Sequence, residues 1–248
     1  MASLSVNVNK VATLRNSRGG SVPSVVEAVR VCIDAGAPGI TVHPRADERH
    51  IRRQDVFDIA DELAPLKGRV ELNIEGDPRP DLVDLALQVK PDQCTLVPVL
   101  PGEITSQAGW SPDTPAEALG ATIDRLKAAG IRVSIFVDPE AAPIRWARQL
   151  GADRVELYTE PFARAFERGP DAAAASFERY ARAARLAHDE GLGVNAGHDL
   201  DLRNLTMFHR LPHLDEMSIG HALIGHALFV GLRRAVQDYL AAVQGARP

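Results

Sequence analysis

The sequence predicts an α/β protein, a (β/α)8 barrel with extra helices, and three observations lead to this fold class. Short apolar runs typical of buried strands recur eight times along the chain. Segments with helical periodicity separate them, which is the pattern of a parallel sheet. Several of these runs end on ionisable residues, and the active site of a (β/α)8 barrel lies at the carboxyl ends of its strands.

The eight predicted strands are short and rich in β-branched side chains, as strands covered on both faces are. They lie near Leu4–Val8, Gly39–His43, Val70–Ile74, Gln93–Val97, Arg132–Val137, Arg154–Leu157, Gly193–Asn195 and Glu216–Ile219.

Roughly eight helices are predicted between and after the strands. Val25, Val29 and Ile33 recur at helical spacing, which indicates one buried helix face. An alanine-rich helix is expected from Ala172 to Glu190, and a single helix from Ile224 to Val243 closes the chain.

The length of 248 residues fits a single domain, residues 1–248, since barrels of roughly this size are commonly undivided. An open doubly wound sheet is the alternative, but Asn9 and Lys10 follow the first strand where such a sheet often carries a glycine-rich fingerprint. Two connections, Pro98 to Thr114 and Thr159 to Asp171, are longer than a barrel requires, which indicates a lid or an additional helix.

Composition narrows the class of protein. The chain is 45% hydrophobic and carries a net charge of −5, so it has no basic footprint for nucleic acid. No apolar run is long enough for a membrane span, and no signal peptide is recognisable. Cys32 and Cys94 lie far from any CxxC pattern, so we expect free thiols in a reducing cytoplasm.

Acid–base candidates lie at the ends of two of the predicted strands and within a third. His43 follows an apolar run and is interpreted as a proton-transfer group. Glu75 follows another run, where lost solvation raises a carboxyl pKa towards the range of a general base; a structural ion pair is the alternative. Glu156 lies within a strand, where it either stabilises positive charge or holds a neighbouring side chain.

Anion-binding candidates surround these groups. Arg45 and His50 are interpreted as anion ligands, whereas their neighbours Asp47, Glu48 and Arg49 are interpreted as solvated loop charges. Barrels commonly bind phosphate with the loops after strands seven and eight and a helix amino terminus. Here those loops carry the two glycine–histidine pairs Gly197-His198 and Gly220-His221, whose glycines allow close backbone approach. Two arginines of the first loop, Arg15 and Arg18, are candidates for a further clamp; solvent exposure is the alternative.

A metal site is an alternative interpretation of four of these side chains, His43, Glu75, Glu156 and His198. Metal-dependent barrel hydrolases usually carry an HxH pair on the first strand, whereas this chain has Asn7-Val8-Asn9 there. The sequence therefore predicts neither a catalytic metal nor a cofactor.

The chain resembles the pyridoxine 5′-phosphate synthase family nearly from end to end. The resemblance is carried in order by Val6–Val8, Ala12–Gly19, Gly39–Arg45, Arg49–Ile51, Asn73–Gly76, Thr95–Pro98, Val194–His198 and Ile219–Ala222. It implies a (β/α)8 barrel with extra helices that assembles into a homo-octamer. It also implies two phosphorylated substrates, 3-amino-2-oxopropyl phosphate and 1-deoxy-D-xylulose 5-phosphate, which condense to pyridoxine 5′-phosphate, phosphate and water.

The resemblance also implies roles for individual residues. His43 and Glu75 match the proton acceptors of the family, His198 its proton donor and Glu156 its transition-state stabiliser. The positions that match ligands of the aminoketone phosphate are Asn7, Arg18, Gly220 and His221. The positions that match ligands of the deoxyxylulose phosphate are Arg45, His50 and Thr105.

Two departures from the family pattern concern substrate binding. An Asp-His pair of the family is Asn9-Lys10 here, and a glycine that often follows the proton donor is Asp199. We expect Asn9, Lys10 and Asp199 at substrate-binding positions, with Lys10 against the deoxyxylulose phosphate.

Two other functions were considered. A barrel aldolase or isomerase acting on one phosphosugar would be favoured by a Schiff-base lysine at a strand end, but no strand after the first ends on lysine. A non-catalytic phosphosugar-binding barrel would keep anion ligands and lose proton-transfer groups, yet His43, Glu75 and His198 are all present.

Overall fold

Eight parallel strands form a closed barrel in the computed structural model of the chain, which describes residues 2–99 and 106–246. Each strand pairs with the next along the chain, and the first pairs with the last. The strands are β1 (Ser3–Asn7), β2 (Gly39–Val42), β3 (Glu71–Gly76), β4 (Gln93–Leu96), β5 (Arg132–Val137), β6 (Arg154–Tyr158), β7 (Gly193–Gly197) and β8 (Leu214–Ile219). The predicted (β/α)8 TIM barrel is confirmed, and every predicted strand matches an observed one to within two residues at each end.

Eleven α-helices and one 3-10 turn, Ala64–Leu66, cover the barrel within the described ranges, which is more than the eight expected. The helices are α1 (Asn9–Asn16), α2 (Val25–Asp34), α3 (Arg53–Leu63), α4 (Pro80–Val89), α5 (Ala116–Ala128), α6 (Ala141–Gln149), α7 (Glu160–Glu167), α8 (Pro170–Asp189), α9 (Leu205–Phe208), α10 (His221–Val230) and α11 (Leu232–Val243). None of the described helices has the length and apolar character needed to cross a bilayer.

One predicted helix is wrong, and one predicted insertion is confirmed. The single helix expected from Ile224 to Val243 is interrupted at Gly231, whose φ of 84° is unsuited to a right-handed helix, so α10 and α11 are separate. The long connection after β6 contains the additional helix α7, as expected. Part of the other long connection, residues 100–105, lies outside the described residues, and so does the expectation of a lid there.

Polar side chains fill the inside of the barrel. On four consecutive strands, Ser5 bonds to Thr41 at 2.6 Å, Asn73 donates to Thr41 at 3.3 Å, and Thr95 donates to Asn73 at 3.0 Å. These side chains are buried, and each finds a partner on a neighbouring strand. The alternate residues of each strand are apolar and pack outward against the helices, where the hydrophobic core lies.

Hydrogen bonds also cross the barrel between strands that are not neighbours. Gln93 on β4 donates to Glu216 on β8 at 3.2 Å, and Asn195 on β7 donates to Gln93 at 3.2 Å. Such bonds require all three side chains to point into the barrel. The inward-facing polar set therefore continues from the amino ends of the strands towards their carboxyl ends.

Aspartates at the amino ends of the strands fix the register between neighbouring strands. The Asp92 carboxylate accepts from the backbone N–H of Leu72 at 2.8 Å, and Asp153 accepts from Val133 at 2.8 Å. Asp215 does the same for β7 at 2.9 Å. Asp92 and Asp153 directly precede a strand and Asp215 is the second residue of β8; each satisfies an amide near the start of the preceding strand, so the strand ends at the opposite rim are set in register.

Candidate active site

A cavity of about 480 Å³ opens at the carboxyl ends of the strands. This is where the sequence placed the site, and the volume suits small-molecule ligands. The predicted residues that line it are Asn7, Asn9, Lys10, His43, Arg45, His50, Glu75, Glu156, His198, Asp199, Gly220 and His221.

Three arginines lie elsewhere than their sequence context suggested, and one threonine candidate is untested. Arg18 is exposed after α1 and does not line the cavity, and Thr105 lies outside the described residues. Arg15 is not available as an anion clamp, because its buried guanidinium pairs with Asp55 at 2.5 and 2.8 Å. Arg49 lines the cavity, although its sequence context suggested a solvated loop.

The Glu75 carboxyl lies at the centre of the cavity floor. It is buried at the end of β3, where Ser218 donates to it at 3.2 Å and Asn7 at 3.4 Å. Burial raises the pKa of Glu75 to about 8; the bond from Ser218 lowers it, and repulsion from Glu216 raises it. A carboxyl with such a pKa can both accept and release a proton near neutrality.

His43 faces Glu75 across 3.9 Å, measured between Nδ1 and Oε2. Burial lowers the pKa of His43 well below its usual value, and the charge of Arg45 lowers it further, so the ring is neutral. Its Nε2 is buried with no hydrogen-bond partner among the described residues. The backbone is held by Asn9, whose side-chain oxygen accepts from the His43 N–H at 2.9 Å. A neutral imidazole fixed in this way can act as a proton acceptor.

Glu156 provides a second buried carboxyl, in the middle of β6. Burial raises its pKa well above the usual value, and repulsion from Glu75 and Glu216 adds to this shift, so the site favours the protonated carboxyl. Its Oε2 lacks a partner among the described residues. Gly197 lies directly against it, since a Cβ at that position would overlap Glu156 Oε1. This close approach is a structural reason for a glycine at position 197.

Cationic and neutral donors line one side of the cavity. The His50 Nδ1 accepts from the backbone N–H of Ile51 at 2.9 Å, which directs the proton of the neutral ring to Nε2. Burial lowers the pKa of His50 to about 4, and the charges of Arg45 and Lys10 contribute to the shift. The three side chains therefore form a compact site for an anion.

Another part of the cavity wall carries the amino terminus of α10, which begins at His221 directly after Gly220. A Cβ at Gly220 would lie 3.0 Å from Asn7, so a larger residue would crowd Asn7 there. The partial positive charge of a helix amino terminus favours an anion. The cavity thus has two regions suited to phosphate, and the acid–base pair contacts both: the His43 ring lies 6.1 Å from that of His50, and Glu75 accepts from Asn7 beside Gly220.

Sequence reasoning missed Ser218 and Phe136, both of which line the cavity. The sequence did contain a signal for Ser218. This residue lies two positions after Glu216 on β8, just as Glu75 lies two positions after Asn73 on β3. Residues two apart on a strand share a face. In the described ranges, no group of three or more histidine, cysteine or carboxylate side chains is arranged to hold a metal ion.

The fold and the site together define a (β/α)8-barrel enzyme with a buried acid–base centre between two anion-binding regions. A model of the family described as "Pyridoxal phosphate biosynthesis protein PdxJ" matches residues 4–245. The chain belongs to the PdxJ family.

Relatives of known name agree with this assignment. The chain is 55% identical over 240 residues to a pyridoxine 5′-phosphate synthase of Bacteroides fragilis, covering 96% of this chain and 98% of that one. It is 48% identical over 250 residues to the enzyme of the same name from Leptospira biflexa, covering 97% and 96%.

Solved structures with little sequence similarity share the fold. Phosphoribosyl anthranilate isomerase from Thermotoga maritima aligns with a TM-score of 0.61 and 14% identity, over 99% of this chain and 100% of that one. The YdjI aldolase from Escherichia coli K12 aligns with a TM-score of 0.63 and 10% identity, over 98% and 89%. These likenesses concern the barrel alone.

Proposed function

We propose that the chain is a pyridoxine 5′-phosphate synthase that condenses 3-amino-2-oxopropyl phosphate with 1-deoxy-D-xylulose 5-phosphate to give pyridoxine 5′-phosphate, phosphate and water. The observation that carries the proposal is the position of Glu75 and His43 between two anion-binding regions of one cavity. Two phosphorylated substrates need two such regions, and joining them needs proton transfers between the two. Family membership and the names of the relatives support the same reaction.

The two substrates are assigned to different parts of the cavity. The aminoketone phosphate lies at Asn7 and the amino terminus of α10, where Gly220 permits close approach. The deoxyxylulose phosphate lies against Arg45, His50 and Lys10. Binding in this orientation brings the amine of one substrate to the carbonyl of the other, so a bimolecular step becomes effectively intramolecular.

Acid–base groups then serve the successive imine formation, elimination and ring closure. Glu75 and His43 accept protons, since one has a pKa near neutrality and the other is held neutral. His198 donates a proton to a departing oxygen. Glu156, whose pKa is raised by burial, donates a hydrogen bond in its protonated form to charge that develops in the transition state.

A two-substrate assay tests the proposal. The protein is incubated with both compounds, and with each alone, and products are separated by mass. We expect pyridoxine 5′-phosphate and inorganic phosphate only when both substrates are present. Conversion of one compound alone would indicate a single-substrate aldolase or isomerase, and binding without turnover would indicate a phosphosugar-binding barrel.

Lys10 gives a prediction about the second phosphate. It lies on α1 at the cavity wall, close enough to His50 to affect its pKa. Lys10→Ala is expected to raise the KM for deoxyxylulose phosphate roughly 10- to 100-fold, because a charge-assisted hydrogen bond contributes about 1.5–3 kcal/mol, while the KM for the aminoketone changes little. Lys67→Ala, an exposed lysine outside the cavity, is the control. A Lys10 variant with two unchanged KM values would make Lys10 a bystander.

We also infer that residues 1–248 form one domain and that copies of it assemble into a homo-octamer. The pairing of β1 with β8 supports a single folding unit. Buried free thiols at Cys32 and Cys94 support a reducing, cytoplasmic setting. For assembly, the supporting feature is an apolar end of α10, where Leu228 is 71% and Phe229 89% exposed. Exposed apolar patches of this kind mark protein interfaces.

Assembly is tested by charging this patch. Phe229→Asp is expected to reduce the molar mass measured by light scattering after gel filtration, since a buried unpaired carboxylate disfavours the interface. Lys67→Ala again serves as the control. An octamer of unchanged mass in the Phe229 variant would remove the α10 patch from the interface, and a monomeric wild-type protein would overturn the assembly itself.

A further inference from the structure

We propose that Asp199 is a positioning residue that fixes the imidazole of His198 in one tautomer and stabilises its protonated form. The inference rests on the proposed function, in which His198 donates a proton. It assigns Asp199 to the proton-transfer machinery rather than to direct substrate binding, the role expected from the sequence.

The turn after β7 places the two side chains together. His198 has a φ of 92° and Asp199 a φ of 58°, in a left-handed region that is uncommon for residues other than glycine. Buried partners hold this backbone: Thr159 donates to the Gly197 carbonyl at 2.7 Å and also to that of His198. Asn204 donates to the Asp199 carbonyl at 3.0 Å. The turn is therefore built into the fold and is not a loose loop end.

The side chains of the turn form a hydrogen-bonded pair. The His198 Nδ1 lies 2.9 Å from Asp199 Oδ2. The bond to His198 lowers the pKa of Asp199, so its carboxyl is ionised and accepts from the ring. An imidazole whose Nδ1–H donates a hydrogen bond to a carboxylate exchanges its other proton at Nε2. The carboxylate also favours the imidazolium, which is the form that donates.

Aromatic rings complete the orientation of the imidazole. Tyr158 meets the His198 ring edge-on, with centroids 5.1 Å apart, and Phe136 lies at 6.4 Å. These ring contacts and the hydrogen bond from Nδ1 to Asp199 together fix the orientation of the imidazole at the cavity wall. A ring without the carboxylate would keep the packing but lose the preference for one nitrogen.

Other titratable groups lie near the His198–Asp199 pair, and the test must leave their effects unchanged. They are Tyr158 at the end of β6, Glu160 and Arg164 on α7, His221 at the start of α10 and Asp138 after β5. Asp199 is the residue of this group whose carboxylate lies within hydrogen-bond distance of the imidazole, at 2.9 Å. A change confined to Asp199 leaves these groups in place.

The test compares Asp199→Asn and Asp199→Gly with the wild type. Both replacements tolerate the left-handed backbone, so the turn is preserved while the carboxylate is removed. We expect kcat to fall about 10- to 100-fold, less than loss of the acid itself, which costs roughly 10²–10⁴-fold. The KM values for both substrates should change by less than about 2-fold. Full kcat in both variants, with loss only in Asp199→Ala, would reduce Asp199 to a backbone role and overturn the proposal.

A second measurement does not depend on turnover. The rate at which diethyl pyrocarbonate modifies His198 is followed by peptide mass at one fixed pH, in the assembled protein. The rate is expected to fall several-fold in Asp199→Asn, because the carboxylate no longer holds the ring proton on Nδ1 and so no longer keeps Nε2 free to react. An unchanged rate would contradict the pairing. If the wild type lacks synthase activity while the rate still falls, the proposed function fails and the His198–Asp199 pair stands.

Discussion

Replacing Glu75 with Gln is expected to lower kcat by roughly 10²–10⁴-fold, the range for a positioned acid or base. Glutamine keeps the shape, its carbonyl oxygen can accept from Asn7, and its NH2 can donate to the Ser218 hydroxyl oxygen, so binding should change little. The effect is therefore expected in kcat rather than in KM. Glu71→Gln is the matched control, since it lies at the opposite end of the same strand, where it pairs with Arg132. A folded Glu75 variant with full turnover would remove Glu75 from the mechanism.

The pH dependence of kcat provides a more specific test of Glu75. Burial raises the pKa of Glu75 to about 8, so the carboxylate that accepts a proton is the minor form at pH 7 and the major form at pH 9. Wild-type kcat should accordingly rise with pH through this range. The Glu75→Gln variant has no carboxyl to titrate there and should lose that rise. A profile of the same shape in both proteins would assign the ionisation to another group.

The strand ends could be predicted from the sequence because both the fold and the chemistry leave local marks. His43 and Glu75 each interrupt an apolar run at the point where a strand ends. In a closed parallel barrel all such points meet at one rim, so the topology alone brings the candidates together. Family resemblance then supplied roles that no local pattern contains.

The polar barrel interior could not be predicted in the same way. Residues such as Asn73 and Gln93 lie within strands that were interpreted as buried and apolar. Their partners are distant in sequence, as the bond between Gln93 and Glu216 illustrates. A residue can be predicted to face the barrel interior only when alternate residues of its strand are assigned to the interior and the exterior of the barrel wall.

Arg15 illustrates a further limit, because an arginine in a polar first loop has the same local appearance whether it is exposed, binds an anion or is buried. The structure places it on α1 with 7% of its side chain exposed, against Asp55 with 11%. Arg15 also donates to the His50 carbonyl at 3.2 Å. Asp55 in turn accepts from the backbone N–H of Arg52 at 2.7 Å. The pair thus joins α1 to the loop that carries His50, a wall of the cavity.

Removing one partner of this pair is expected to be strongly destabilising. Arg15→Met leaves the Asp55 carboxylate buried and uncompensated, and such a change costs about 3–5 kcal/mol in the free energy of unfolding. Denaturant unfolding of the assembled protein at constant concentration measures the loss. Arg30→Met is the control, because Arg30 pairs with Glu62 at the surface with 58% of its side chain exposed, and such pairs contribute about 0–1 kcal/mol.

The double variant Arg15→Met/Asp55→Leu separates lost attraction from uncompensated charge. It removes both buried charges, so it should recover most of the stability lost in Arg15→Met. Full recovery is not expected, since Asp55 also caps α3 through Arg52, and loss of a cap costs about 1 kcal/mol. A double variant as unstable as Arg15→Met would mean that the uncompensated Asp55 charge is not the cause. The cause would then be the bond from Arg15 to the His50 carbonyl, which positions the loop at the cavity wall.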